Sequence, residues 1–274
     1  MIELPEGIAL ARQIDSELRD KRIKHIVADS SHHKFAWYSG NPADYTELFA
    51  NKVVEGAYSY GGKVHIKLSQ DCGFMFCDGT SIRYYTNSEE LPKKHQLLIE
   101  FDDSTYLVCR VRLYGGVFGY TGIFDHGYDV VARTKPAVFS DEFNMDYFMG
   151  LLATVEKPKL SAKAFLATEQ RVPGLGNGVV QDVLFNAGIN PKRDMATVDK
   201  AGLEKLLHSL KKTVVEMTQE GGRDVELDIY GEPGGYKTIM SKNTYRHACP
   251  RCGGVIKKES YLGGSVYYCK ECQE

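Results

Sequence analysis

Residues 249–272 read CPRCGGVIKKESYLGGSVYYCKEC, and this stretch decides how the chain ends. Two Cys-x-x-Cys pairs, Cys249/Cys252 and Cys269/Cys272, stand 16 residues apart, with Gly253-Gly254 and Gly263-Gly264 as turn residues between them. Each pair presents two sulfurs to one side of an ion, so the spacing predicts a hairpin closed by a tetrahedral four-thiolate zinc site. A closed four-sulfur shell leaves no position for substrate, so the one zinc ion expected here is structural. It would hold a segment too short to build its own core. The other three of the seven cysteines, Cys72, Cys77 and Cys109, lie in strand-like text and read as core thiols.

Upstream of the ribbon the periodicity is helical. FNMDYFMGLLATV (143–155), SAKAFLATEQR, GVVQDVLFNAG and TVDKAGLEKLLHSLKKTVVEMTQEG each repeat apolar residues at helical spacing. Between two of them Pro173-Gly174-Leu175-Gly176-Asn177-Gly178 forms a glycine-rich turn. Such a turn either exposes N–H groups at a helix N-terminus, where phosphate binds readily, or simply connects two helices through glycine caps. From about residue 20 to Phe124 the text is strand-like and punctuated by glycines and Asp102-Asp103, which predicts eight or so short strands in a sandwich or barrel. Pro5 and Glu6 open a helix expected to run to about Arg19. The division expected is an N-terminal helix plus β-sandwich over 1–128, a linker over 129–141, a helical domain over 142–235 and the ribbon over 236–274, an α+β multidomain chain.

A chain of 274 residues that is 43% hydrophobic can build such cores. It has no run of about 20 apolar residues and no basic-then-apolar start, so a cytoplasmic protein without a membrane partner is expected, acting as a monomer. A net charge of −2 gives no electrostatic support for a nucleic-acid partner, but the charge is uneven: seven basic residues face three acidic ones over 236–274.

Three signatures in order, Leu4-Pro5-Glu6, PGLGN followed by VLFNAGINP, and the terminal cysteine pairs, resemble the formamidopyrimidine-DNA glycosylase and endonuclease VIII family over almost the whole chain. The resemblance implies a helix-two-turn-helix domain containing Asn177 and damaged double-stranded DNA bound in a cleft between domains. It implies a DNA glycosylase with AP lyase activity in base-excision repair, whose N-terminal amine attacks C1′ of a flipped-out nucleotide and passes through a Schiff base. Carried onto this sequence, the amine belongs to Met1 or, after trimming, to Ile2. Glu3 is the adjacent acid, Glu6 the second acid, and Lys63 the lysine beside the lesion. Arg112 and Tyr114 fall where the family has the arginine facing the orphaned base and the aromatic wedge, and His95 where it has a DNA-contacting histidine. Two positions depart from the pattern: Ile2 stands in place of a proline, and Gly264 in place of the ribbon's phosphate-gripping arginine, for which Lys257 and Lys258 are point-charge substitutes. The alternatives are a catalytically impaired homologue that binds bent or abasic DNA or structured RNA, and a protein-interaction scaffold.

Overall fold

The computed structural model describes residues 1–154 and 159–274, the side chain of Asp78 apart. Helix α1 (Leu4–Leu18) begins where proline and glutamate occupy the first turn, and the Glu3 N–H donates to Glu6 Oε2 at 3.1 Å. Its apolar residues recur at helical spacing, so Leu10, Ala11, Ile14 and Leu18 share one buried face. That face packs on strands β3 (Val54–Tyr60) and β4 (Lys63–Leu68), a hairpin whose turn uses Gly61 and Gly62 at φ +50° and +77°.

Seven strands form one sheet. In spatial order β1 (Ile23–Ala28), β6 (Leu97–Phe101), β7 (Tyr106–Thr121), β5 (Cys72–Tyr85), β4 and β3 pair antiparallel, and β2 (Ala36–Tyr38) runs parallel to β7 at Gly115–Val117. The expected eight or so short strands are therefore corrected. GFMFCDG and SIRYYTN are one strand, β5, and TYLVCRVRLYGG and GVFGYTG are one strand, β7, paired from Cys72↔Thr121 to Tyr85↔Tyr106 across a bulge. The glycines that read as turns serve close approach instead. A Cβ on Gly79 would lie 2.0 Å from the Tyr114 carbonyl oxygen, and one on Gly115 would lie 2.9 Å from Thr80 Cγ2. The two long strands pass through both halves of the sheet, and both halves send side chains, among them Phe74, Phe76, Ile82, Leu107 and Val117, into one core. Short helix α2 (Tyr45–Phe49), in a segment to which the sequence reading assigned no element, adds Tyr45 and Phe49 to that core.

Part of the stretch read as a linker is helical. In α3 (Gly127–Thr134) the buried Asp129 carboxylate pairs with His65 Nε2 of β4 at 2.8 Å and with Arg133 Nε at 3.0 Å, which fastens the segment to the sheet. The helical body follows with α4 (Met145–Ala153), α5 (Ala162–Ala167), α6 (Asn177–Ala187) and α7 (Lys200–Gln219). The end of the first helical pattern, Val155, lies outside the described residues. Asn144, Ser161 and Asp199 cap α4, α5 and α7 by accepting from the N–H three residues on, and Gly188 ends α6 at φ +75°. A second core gathers Phe148, Phe165, Val183, Leu184 and Leu210, and Leu4 of α1 belongs to it, whereas Leu10 and Ile14 belong to the first. Helix α1 thus lies between the two bodies. The ribbon hairpin of β8 (Ile256–Tyr261) and β9 (Gly264–Cys269) packs on α6 through Phe185, Met240, Ile256 and Tyr267. The architecture is α+β and multidomain, as expected from the sequence. Among the described residues no helix is long and apolar enough to cross a membrane.

Candidate active site

The start of α1 is held against the glycine-rich turn: the Leu4 N–H donates to the Gly174 carbonyl at 2.8 Å. Met1, Ile2 and Glu3, with Lys63 of β4 and Tyr114 of β7, form one side of a cavity of about 400 Å³. Lys163, Thr168 and Gly174–Asn177 form another, and the ribbon turn Leu262–Gly264 closes it. The chain's first residues and the Asn177 turn therefore face the same space.

Glu3 is buried, and its carboxylate is fully engaged. Oε1 accepts from Gly178 N–H at 2.9 Å and Arg223 Nη1 at 3.3 Å, and Oε2 accepts from Val179 N–H at 2.9 Å and Gly176 N–H at 3.1 Å. This corrects the reading of the turn as a free phosphate cradle, because the N-terminal donors of α6 are already satisfied by a carboxylate from the start of the chain. The glycines permit it: a Cβ on Gly176 would lie 2.5 Å from Glu3 Cδ, and one on Gly178 1.5 Å from Arg223 Nη1. Arg223 also grips Glu6, donating from Nε to Oε1 and from Nη2 to Oε2, both at 2.8 Å. Burial pushes the Glu3 carboxyl up against the pull of Arg223. Burial acts on Glu6 as well, but there the charge and hydrogen bonds of Arg223 outweigh it and hold the carboxyl below its ordinary range. The two neighbouring carboxyls are thus driven in opposite directions by burial and by the one guanidinium they share.

The amine of Met1 pairs with Glu226 Oε2 at 2.5 Å, and Met1 itself is 42% exposed. Ile2 is only 8% exposed, and its side chain belongs to the sheet core. Lys63, expected from its residue type to be an exposed strand-end lysine and from the resemblance to stand beside a lesion, is 4% exposed and lines the cavity. Asn177 opens α6, donates from Nδ2 to the Ser265 carbonyl at 3.0 Å and leaves its buried Oδ1 without a partner. Gly264 lies against it, since a Cβ there would come within 3.6 Å of Asn177 Cγ.

Not every proposed residue gathers in this space. Lys257 and Lys258 are exposed on β8 and are not among the residues lining the cavity. Arg112 is exposed and lines a second cavity of about 360 Å³, on which Met1, Ile2 and Glu6 also border. Tyr114 reaches the first, and its hydroxyl comes within 3.9 Å of Met1 Sδ. His95 packs under the loop before β2, with Nδ1 3.2 Å from the Pro92 carbonyl, and lines neither cavity. Three residues that the sequence reading passed over do belong to the site: Arg223, Glu226, and Lys163 of α5, which donates to the Tyr261 carbonyl at 2.6 Å and whose ammonium burial pulls down.

At the far end of the ribbon the four sulfurs of Cys249, Cys252, Cys269 and Cys272 lie within 4.8 Å of one another. Cys252 and Cys269 are 3.5 Å apart and Cys249 and Cys272 3.8 Å, close to the edge of about 3.8 Å of a tetrahedron with metal–sulfur bonds of about 2.3 Å. The N–H groups of Arg251 and Gly254 donate to the Cys249 and Cys252 sulfurs at 3.4 Å. The four cysteines can hold one metal ion.

No family model matches the chain. The formamidopyrimidine-DNA glycosylase of Prochlorococcus marinus (strain MIT 9301) is 32% identical over 301 residues, covering all of both chains. The enzyme of the same name from Lactobacillus johnsonii is 25% identical over 285 residues, 100% of this chain and 99% of its own. Among solved structures, Lactococcus lactis Fpg in complex with abasic-site DNA superimposes with a TM-score of 0.82, and the same protein with N7-benzyl-Fapy-dG DNA with 0.85, each at 20% identity over 99% of both chains. MutM (Fpg) of Thermus thermophilus gives 0.80 over 99% of this chain and 98% of its own, at 20% identity. The structural likeness establishes the fold. Together with the full-length match at 32% identity and the meeting of the first residues with the Asn177 turn, it places the chain in the formamidopyrimidine-DNA glycosylase family.

Proposed function

We propose that this chain is a DNA glycosylase with associated AP lyase activity, acting on damaged or abasic nucleotides of duplex DNA through its N-terminal amine. The observation that carries the reading is the cavity that Met1, Glu3, Lys63 and Asn177 all line. A damaged nucleotide leaves the base stack to enter it. The amine nitrogen, once it has given up its proton, attacks C1′, and the base departs with the electrons of the glycosidic bond, taking a proton from water. The nitrogen then sheds a second proton, its lone pair opens the C1′–O4′ bond, and O4′ takes up a proton as the Schiff base forms, while Glu3 holds the first residues in place. The resulting Schiff base eliminates and nicks the strand. Lys63 supplies a point charge for phosphate or a proton, and Asn177 fixes the backbone beside it. The attacking group in this reading is the primary amine of Met1, and removal of Met1 would pass the role to Ile2.

The four cysteines hold one structural zinc ion in this reading, since soft thiolates in a closed tetrahedron suit zinc. Zinc shapes the ribbon and no reaction step runs through it.

Borohydride trapping on a duplex with one abasic site tests the reading. The expected product is a covalent adduct whose tryptic map places the sugar on the N-terminal peptide, with no adduct from N-terminally acetylated protein. A yield no higher than that of the acetylated control would overturn the amine mechanism and leave the alternative, a homologue that binds abasic DNA without cutting it.

A further inference from the structure

The sheet body presents an aromatic face that the proposed chemistry leaves unused. In β2 the side chains alternate: Ala36 and Tyr38 pack against the core, and Trp37 turns outward, 49% exposed. The strand is pinned to β7 in parallel register, with Trp37 opposite Gly116 and the Gly115 N–H donating to the Phe35 carbonyl at 3.0 Å. This register sets the indole beside Tyr114, ring centroids 6.3 Å apart and planes at 51°, with Leu113 also projecting outward at 67% exposure. A tryptophan and a leucine left partly in water forgo much of the stabilisation that burial gives such side chains. The face is continuous with the candidate active site, because Tyr114 also lines the cavity that holds Met1 and Glu3. Exposed cations flank it, Lys34 three residues before Trp37 and Arg112 two before Tyr114. Flat apolar rings between cations fit a nucleic-acid strand, with phosphates on the cations and a base on the ring. With the planes at 51°, a base lying flat on Trp37 does not lie flat on Tyr114, so the indole serves a base of its own.

We propose that Trp37 is a stacking platform for an unpaired nucleobase, the one left without a partner when the damaged nucleotide enters the cavity, and that it works beside Tyr114. This rests on the reading of the chain as a protein that acts on damaged duplex DNA.

Trp37 is the only tryptophan in the chain, so fluorescence excited beyond the absorption of the 17 tyrosines reports this ring alone. The probe is a duplex with one tetrahydrofuran abasic-site analogue. Its binding to the full chain is followed by anisotropy of an end-labelled duplex and, separately, by tryptophan emission with the unlabelled one. The expected result is quenching with the same midpoint as the anisotropy change, and weaker quenching at equal saturation by an intact duplex of the same sequence. Trp37→Ala should weaken binding of the abasic duplex about tenfold, the scale of one base–aromatic stack, with Trp37→Phe restoring most of it and thermal melting unchanged in both. Anisotropy that reports binding while tryptophan emission stays constant, or a Trp37→Ala protein that binds like the parent, would overturn the platform and leave the DNA reading intact. Absence of any anisotropy change with either duplex would overturn both.

Discussion

The two ends of the chain both tie bodies together, and they do it with opposite chemistry. At the N-terminus the tie is buried charge: Glu3 caps α6, and Arg223 bridges Glu3 and Glu6. At the C-terminus it is sulfur and apolar contact, the four cysteines and the cluster of Phe185, Met240, Ile256 and Tyr267. A buried ion network repays its desolvation only while every member is present, whereas a metal shell supplies folding energy outright. The first joint is accordingly a device for placement, holding the first residues against the Asn177 turn, and the second a device for stability. Both act on the same space, because the turn between β8 and β9 closes the cavity that the N-terminal tie creates.

The largest effect expected is at the sulfur joint. With zinc held in the ribbon as proposed, stripping it at neutral pH, or Cys269→Ser, removes binding free energy of up to the order of 10 kcal/mol seen for structural zinc in small domains. The ribbon should open to protease within 236–274 while the sheet and helical cores keep their far-ultraviolet spectrum. If those residues stay protected in the metal-free protein, the contrast between the joints is false and the apolar cluster is sufficient. Next comes Arg223→Ala, which leaves two carboxylates buried without their cation. It should cost about 3–5 kcal/mol in denaturant titration, with part recovered by adding Glu6→Gln. A cost under about 1 kcal/mol would mean that the charged joint is solvated in solution.

The smallest effect sharpens the comparison through pH. Asp182, buried in α6, accepts from the N–H groups of Ile239 and Met240 at 2.9 and 2.7 Å, where the chain enters the ribbon. Burial, offset only in part by these bonds, pushes its carboxyl up to about 6. The folded value exceeds the unfolded one of about 3.9, so the folded state holds the proton more tightly. Its favourable contribution is complete below about pH 4 and is lost as pH rises to about 6, at most some 3 kcal/mol. Melting the protein and Asp182→Asn at matched pH cancels metal release, which is common to both. The difference between them should change across pH 4–6, and a flat difference would show that the two backbone bonds neutralise the burial. Glu6 works in the opposite sense. Its lowered carboxyl stabilises the N-terminal joint above its ordinary range, and that contribution is lost as pH falls below about 4.5.

What the sequence discloses is what short range encodes. The ribbon follows from two cysteine spacings and α1 from Pro5 and Glu6, whereas Asn144, Ser161 and Asp199, which cap α4, α5 and α7 beside their own helices, offer a local signal that the sequence reading does not use. Glycine misleads in β5 and β7 because the same residue type marks a turn and a close backbone approach, and only the partner strand distinguishes them. Lys63 is ambiguous for a related reason, since it stands at the end of a hairpin but lines a cavity with Met1–Glu3 and Asn177, which are distant in sequence. Arg223 and Glu226 give no signal at all. They meet Glu6 and Met1 across 217 and 225 residues, and no local pattern announces such a contact. The one available cue is chemical: two acids in the first turn of a helix otherwise bound for burial need a cation from somewhere.

The packing of Ile2 has a consequence for the order of events in biosynthesis. An exopeptidase must draw the first two residues into its own cleft, but in the finished fold Ile2 is locked in the core and the Met1 amine is held by Glu226, 225 residues further along the chain. Any removal of methionine therefore belongs to the nascent chain. Whichever amine the protein carries when Glu226 docks on it is the amine it keeps, and the mass of the purified chain is a record of that moment.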